Sequence, residues 1–117
     1  MKNLRKMSYQ HKDLASGRWG RLSFLEQMAN IGGEVERALN WQAKDNAAYS
    51  QKAFERALEL VELTLDNTSV PSHLKELARV REGLADYFVG ANQFRSTAAS
   101  WKRYFLPFAY AVRKKIS

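Results

Sequence analysis

The sequence predicts an all-α fold, an antiparallel up-down four-helix bundle with a basic N-terminal arm. Apolar residues recur three and four positions apart in four segments, the spacing that places side chains on one face of a helix. No segment alternates apolar and polar residues as a strand does. The segments are about 18 to 20 residues long and short connections join them, which favours antiparallel neighbours. We divide the 117 residues into an arm, residues 1–18, and one bundle domain, residues 19–117.

The arm leads into a tryptophan between two arginines, Arg18-Trp19-Gly20-Arg21. Two interpretations stay open. An exposed indole can stack on a nucleic-acid base while an arginine binds a phosphate. A buried indole can instead anchor the arm to the bundle. We take Arg18, Trp19 and Arg21 as candidates for binding RNA or another partner.

The first helix is predicted to begin at Ser23, because Ser23 and Glu26 have the spacing of a capping box. Its expected buried stripe comprises Leu25, Met28, Ile31 or Gly32, Val35 and Leu39. Gly32 and Gly33 each cost about 1 kcal/mol relative to alanine inside a helix. We therefore expect a close approach to the backbone there, by another helix or by a ligand.

The second helix is predicted from about Ala47 to Leu65, with Asp45 or Asn46 as its N-cap. A loop ends at Pro71. Ser72 is then the expected cap of a third helix that stops at Gly90, where a glycine accepts positive φ.

The fourth helix is predicted to follow a cap at Ser96 or Thr97. Its apolar face is unusually aromatic and comprises Trp101, Tyr104, Phe105, Phe108, Ala109 and Val112. Pro107 interrupts the backbone hydrogen bonding. Because the pattern continues to Val112, we expect the helix to bend at the proline and not to end there.

Composition excludes several kinds of chemistry. The chain has no cysteine, no G-x-S-x-G motif and no phosphate-binding glycine loop. A di-iron bundle needs two Glu-x-x-His pairs, whereas His73-x-x-Glu76 is single and reversed. We expect no catalytic residue, metal or cofactor. No apolar run reaches the roughly 20 residues that span a bilayer, and no secretory signal is recognised, so we expect no membrane partner and a cytoplasmic location.

The net charge of +7 is concentrated at the two ends of the chain. Residues 1–22 and residues 101–117 each carry +5, and the stretch between them carries −3. Basic ends attract RNA or an acidic protein by electrostatic steering and counterion release. We therefore add Lys114 and Lys115 to the candidate binding residues. The alternative is that the charges only keep the domain soluble.

One stretch of the third helix, Arg81-Glu82-Gly83-Leu84-Ala85-Asp86-Tyr87, resembles the motif of the HEPN superfamily. Members of that superfamily are four-helix bundles that carry an arginine, several intervening residues, a histidine and often a tyrosine on the third helix. In active members the resemblance implies metal-independent RNA cleavage across a dimer, often by a toxin. Here Asp86 stands where the histidine is required, and a carboxylate with a pKa near 4 is a poor substitute for an imidazole near 6.5.

A second resemblance, over about residues 19–113, is to small uncharacterised prokaryotic four-helix proteins. Residues 25–38, 79–90 and 104–109 carry it.

We therefore expect a non-catalytic HEPN-like binding module that acts as a homodimer, with RNA or an acidic protein as its partner. Its candidate functional cluster is Arg81, Asp86 and Tyr87. These charged residues can equally form a local ion-pair cluster that serves only the fold. Two other functions stay open. One is an atypical ribonuclease or toxin, and the other is a structural subunit of a larger assembly.

Overall fold

The computed structural model describes residues 17–116, with the side chains of residues 115 and 116 excepted. A 3₁₀ turn and four α-helices make up this part of the chain: Trp19–Arg21, then α1 (Phe24–Ala43), α2 (Ala47–Asp66), α3 (Pro71–Phe88) and α4 (Ala98–Ile116). The described range contains no strand. The prediction of an all-helical fold with four helices is confirmed. Of the predicted arm, residues 1–16 lie outside the described residues.

Helix starts follow the local chemistry of their caps. The Ser23 side chain accepts the Glu26 backbone N–H at 3.1 Å, and Glu26 Oε1 accepts the Ser23 N–H at 2.9 Å, so the predicted capping box is present. Asn46, one of the two predicted residues, caps α2 by accepting the Tyr49 N–H at 3.0 Å. At the start of α4, the Thr97 hydroxyl accepts the Ser100 N–H at 3.0 Å.

The third helix differs from the prediction at both ends. Pro71, and not a residue after Ser72, opens α3, because proline has the φ of a first helical residue and needs no N–H partner there. The helix ends at Phe88, and Gly90 does not have a positive φ. A Cβ at Gly90 would lie 3.0 Å from the Asp86 backbone, so close approach accounts for this glycine. Asn92 and Arg95 adopt the left-handed conformation instead.

Side-chain contacts show that α1 and α2 are antiparallel. Ser50 donates to the Ala38 carbonyl at 2.9 Å, and Arg56 donates to Glu34 at 3.2 Å. Residues near both ends of α3 likewise reach α1. The Phe24 and His73 rings stack with centroids 3.7 Å apart at the starts of these helices, and their far ends are linked through residues 42 and 87.

The core lies between α1, α2, α3 and the inner face of α4. Its fully buried side chains include Trp19, Met28, Ile31, Val35, Val61, Leu77 and Leu84. Leu25 was expected in the α1 stripe but is 43% exposed, so that part of the prediction is wrong. The backbone of α4 packs closely on that of α1, whereas the backbones of α3 and α4 lie farther apart and side chains connect them, with Trp101 against Gly83 and Tyr104 bonded to Glu76. A cleft therefore opens between α3 and α4.

Two glycines receive aromatic rings from α4. A Cβ at Gly32 would lie 2.9 Å from Phe105, and a Cβ at Gly83 would lie 3.0 Å from Trp101. The predicted close approach of a helix is thus present at Gly32. At Gly33 a Cβ would meet nothing within 4 Å. Within the described residues, no helix is both long and apolar enough to cross a bilayer.

Candidate functional site

The three residues of the candidate cluster on α3 bind three different parts of the fold. Arg81 forms an ion pair with Glu62 on α2, with Nη1 2.8 Å from Oε1. The Tyr87 hydroxyl donates to Gln42 Oε1 on α1 at 2.9 Å. Asp86 binds the connector between α3 and α4. Each side chain therefore has a structural contact that needs no substrate.

Asp86 helps to fix this connector, together with Asn92, whose side chain bonds the backbone of Ser96. Its Oδ1 accepts the Gln93 backbone N–H at 2.7 Å, and its Oδ2 accepts the Phe94 N–H at 3.0 Å. Two charge-assisted bonds to backbone N–H groups hold a loop in one conformation. A carboxylate serves this purpose better than an imidazole, because it accepts two bonds at once. The connector thus gives a physical reason for an aspartate at this position.

Trp19 lies in the core, with 1% of its surface exposed. Its Nε1 donates to the Thr64 hydroxyl at 2.9 Å, and its carbonyl accepts from Gln27 at 3.0 Å. Stacking on a base would require the indole to leave the core, so this geometry favours the anchor interpretation. Arg18 and Arg21, on either side, are exposed.

The outward side of α4 brings together exposed residues that the sequence analysis did not group. We define the α4 outer face by its exposed side chains, which are Lys102, Arg103, Leu106, Tyr110, Arg113 and Lys114. Leu106 and Tyr110 are 59% and 58% exposed and lie one turn apart. Of the predicted binding residues, Lys114 belongs to this face. The Lys115 side chain lies outside the described part of the chain.

Cations border the two apolar side chains of the α4 outer face on both sides. At 100° per residue, Lys102 and Arg113 fall on one side of Leu106 and Tyr110, and Arg103 and Lys114 fall on the other. Residues 101–117 contain no acid. The signal was present in the sequence, because Leu106 and Tyr110 fall outside the buried stripe that contains Trp101 and Phe105.

A shallow apolar groove runs between α4 and α1 beside this face. Its cavity volume is about 330 Å³, and Gly33, Leu39 and Ala109 are among the residues that line it. Lys102 and Arg103 lie at its edge together with Glu36. The groove therefore adjoins the α4 outer face and extends its apolar surface toward α1.

The cleft between α3 and α4 holds a second group of polar side chains. Two cavities of about 380 and 490 Å³ lie in it, and both are lined by Arg79, Ser96 and Trp101. The first also contacts Glu76 and Tyr104, and the second contacts the residues of the connector near Phe94 and of α3 near Gly83. We call this the α3–α4 cleft. Both cavities have the size of small-molecule sites.

One tyrosine in the α3–α4 cleft has an altered acidity. The Tyr104 hydroxyl donates a short hydrogen bond to the Glu76 carboxylate. Burial, and then the hydrogen bond to Glu76 and its negative charge, raise the pKa of Tyr104 far above the ordinary value, and Arg79 opposes the rise only in part. Tyr104 therefore stays protonated, and its proton is committed to Glu76.

Among the described residues, no group of three or more acidic or histidine side chains could hold a metal ion. His73, which the sequence analysis considered with Glu76, stacks on Phe24 instead.

Comparison with known proteins does not add a relative. Neither a scan against models of protein families nor searches of curated proteins and of solved structures find a match for this chain.

Proposed function

We propose that the protein is a non-catalytic helical module that binds single-stranded RNA through the α4 outer face. The observation that carries the proposal is the arrangement of this face, where exposed Leu106 and Tyr110 lie between exposed cations. Proteins that bind single strands without reading sequence combine cations that follow the backbone with aromatic side chains that stack on bases. The α4 outer face offers both within a single helix.

The contacts of the α3 cluster favour binding over cleavage. Arg81 pairs with Glu62, and Asp86 accepts two connector N–H groups. A ribonuclease of the HEPN kind would need the arginine and its partner group to meet at one phosphate. Here the two side chains serve different contacts on different sides of α3. The HEPN-like relationship stays part of the proposal as a relationship of fold, without the chemistry.

Electrostatics favours a polyanion over a second copy of this chain at the α4 outer face. In a twofold interface the same patch meets itself. Four cations would then oppose four cations, residues 101–117 contain no acid, and Glu36 of α1 is the acid at the edge of the adjoining groove. RNA phosphates neutralise the same charges and release counterions. If the protein is a homodimer, as the HEPN resemblance implies, we expect the dimer to use another surface.

The strength of the salt effect follows from the number of cations. Each phosphate neutralised on a single strand contributes about −0.7 to the slope of log K against log salt. The four cations of the face therefore give a slope of about −3. Stacking of a base on Tyr110 adds about 1–3 kcal/mol that salt does not screen. Residues 1–18 add basic charge, so their deletion is expected to weaken binding further.

The test compares two variants with equal loss of charge. Lys102→Gln/Arg103→Gln removes two cations from the α4 outer face, whereas Lys52→Gln/Lys75→Gln removes two exposed cations from α2 and α3. Binding of labelled single-stranded RNA is measured by fluorescence anisotropy. We expect a clear loss of affinity only for the first variant, with a further loss for Tyr110→Ala.

Equal losses for both charge variants would show a general charge effect and would contradict the assignment of the face. A denaturing gel of the same samples checks the second half of the proposal. We expect intact RNA. Cleavage that disappears in Arg81→Ala would overturn the non-catalytic assignment and favour the ribonuclease alternative.

A further inference from the structure

The apolar groove between α1 and α4, which we call the α1–α4 groove, contains a glycine that no contact with the described residues explains. Gly33 is exposed, and a Cβ at this position would meet nothing within 4 Å, whereas Gly32 makes room for Phe105. A glycine inside a helix is less favourable than alanine. The bare α1 backbone at Gly33 leaves one wall of the groove open.

The two walls of the α1–α4 groove can cover both faces of a planar ring. On the α1 side the wall includes Ala29 and Gly33, which lie one turn apart. On the α4 side it includes Ala109 and Leu106, and Leu106 is 59% exposed. The cavity volume of about 330 Å³ is at the lower end of the range for small-molecule sites. The groove therefore suits a single planar ring system.

The α1–α4 groove is continuous with the α4 outer face. Lys102, Arg103 and Leu106 belong to that face and also line the groove. A strand whose phosphates bind these cations would carry its bases past the mouth of the groove. Proteins that recognise single-stranded RNA hold unstacked bases in this way and bond the edges of the bases.

One carboxylate lies at the edge of the α1–α4 groove. Glu36 is exposed and lies three residues from Gly33, on the same side of α1. Glu34, also on α1, pairs with Arg37 and Arg56, whereas Glu36 forms no hydrogen bond or ion pair within the described part of the chain. An ionised carboxylate only accepts hydrogen bonds, and it accepts two at once. Glu36 is therefore available to a ligand that has two adjacent donors.

The pairing edges of the four RNA bases differ in the donors that they offer to such a carboxylate. Guanine has two adjacent donors, N1–H and the N2 amino group, which can bond both oxygens of Glu36. In adenine and cytosine an amino group lies beside an acceptor nitrogen, and in uracil one N–H lies between two carbonyl oxygens. Those acceptors would face the negative charge. The chemistry of Glu36 therefore favours guanine.

We propose that the α1–α4 groove binds an unpaired guanine of single-stranded RNA, whose N1–H and N2 amino group donate to Glu36. The base lies between Gly33 and Leu106, and the neighbouring phosphates bind Lys102 and Arg103. This site rests on the proposed function, because it adds a base preference to RNA binding at the α4 outer face. The cations alone supply no such preference, since phosphate contacts carry no sequence information.

The test compares labelled oligonucleotides that differ in one base. A short oligouridine and the same oligonucleotide with one central guanine are titrated with the full chain, and fluorescence anisotropy gives their Kd values at one salt concentration. We expect the central guanine to lower the Kd about tenfold, as one bidentate base contact does. A central adenine, a purine of similar size, is the control and is expected to give no such gain.

The variants separate recognition of guanine from simple repulsion. Glu36→Gln and Glu82→Gln remove the same charge from exposed positions, the first in the groove and the second on α3. Glu82→Gln should leave the ratio of the two Kd values unchanged, and Glu36→Gln should bring it close to one. An acid that only repels RNA would instead change both Kd values by the same factor. Gly33→Leu, which places a side chain in the groove, should also remove the preference.

The outcomes distinguish this site from the proposed function. Salt-dependent binding of the oligonucleotides with equal Kd values would overturn the guanine site and leave RNA binding at the α4 outer face in place. No binding of any of them would overturn both proposals. A guanine preference that survives in Glu36→Gln would also overturn the site. Circular dichroism checks that the variants fold, and the exposed position of Glu36 keeps the test decisive if Gly33→Leu does not.

Discussion

Two adjacent glycines of α1 are predicted to respond in opposite ways to the same substitution. A Cβ at Gly32 would lie 2.9 Å from three atoms of the buried Phe105 side chain. A Cβ at Gly33 would meet nothing within 4 Å. Gly32→Ala therefore forces α4 away from α1 or Phe105 out of its position, and Gly33→Ala does neither.

The magnitudes follow from two contributions. Replacing glycine with alanine inside a helix stabilises it by about 1 kcal/mol, and this contribution is common to both variants. Overpacking a close contact costs about 1–3 kcal/mol, and only Gly32→Ala incurs it. The two free energies of unfolding should therefore differ by about 1–3 kcal/mol. Gly33→Ala should exceed the wild type by about 1 kcal/mol, or roughly 4 °C in Tm for a domain of this size.

Urea denaturation followed by circular dichroism measures the difference. The control is Gly32→Ala/Phe105→Leu, because the smaller side chain removes the clash and should recover part of the loss beyond the effect of Phe105→Leu alone. Equal stabilisation by the two alanines would refute the reasoning, since it would mean that α1 and α4 do not meet at Gly32.

Three further predictions concern single contacts. Thr64→Val keeps the shape of the side chain but leaves Trp19 Nε1 buried without an acceptor, so the free energy of unfolding should fall by about 1–3 kcal/mol. An unchanged free energy of unfolding would contradict the anchor role of Trp19. Asp86→His restores the histidine of the HEPN motif but removes both bonds to the connector, so hydrogen exchange at the Gln93 and Phe94 amides should accelerate. No RNA cleavage should appear, and cleavage would contradict the structural role of the carboxylate. Burial and Glu76 raise the pKa of Tyr104, so the folded chain keeps a proton that the unfolded chain loses near pH 10. The free energy of unfolding should therefore fall as pH rises above about 10, and Tyr104→Phe should flatten that fall.

The elements that sequence reasoning predicted well depend on local chemistry. The capping box at Ser23 and the α1 positions Met28, Ile31 and Val35 follow from spacing along one helix, and the structure confirms them. Contacts within a few residues do not depend on how the helices pack. The existence of four helices could therefore be read from the sequence.

The misassigned positions depend on contacts between elements or on backbone details. Gly90 was interpreted from the preference of glycine for positive φ, but its close contact is with the Asp86 backbone. Leu25 fits the period of the α1 stripe, yet it is 43% exposed in the described part of the chain. Period alone gives the direction of a side chain and not the presence of a neighbour.

The candidate sites show the same limit. Proximity of Arg81, Asp86 and Tyr87 in the sequence suggested one cluster, but positions five and six apart point to different sides of a helix. The unpaired N–H of Trp101 depends on how α4 packs against the other helices, which no local pattern encodes.

We propose that the chain binds RNA through the α4 outer face without cleaving it. The first experiment is a salt series of labelled single-stranded RNA binding, with a denaturing gel of the same samples, for the wild type, Lys102→Gln/Arg103→Gln and Lys52→Gln/Lys75→Gln. We expect intact RNA, a slope of about −3 or steeper for the wild type, and a shallower slope only for the α4 variant. Binding that is independent of salt, or RNA that is cut, would contradict the proposal.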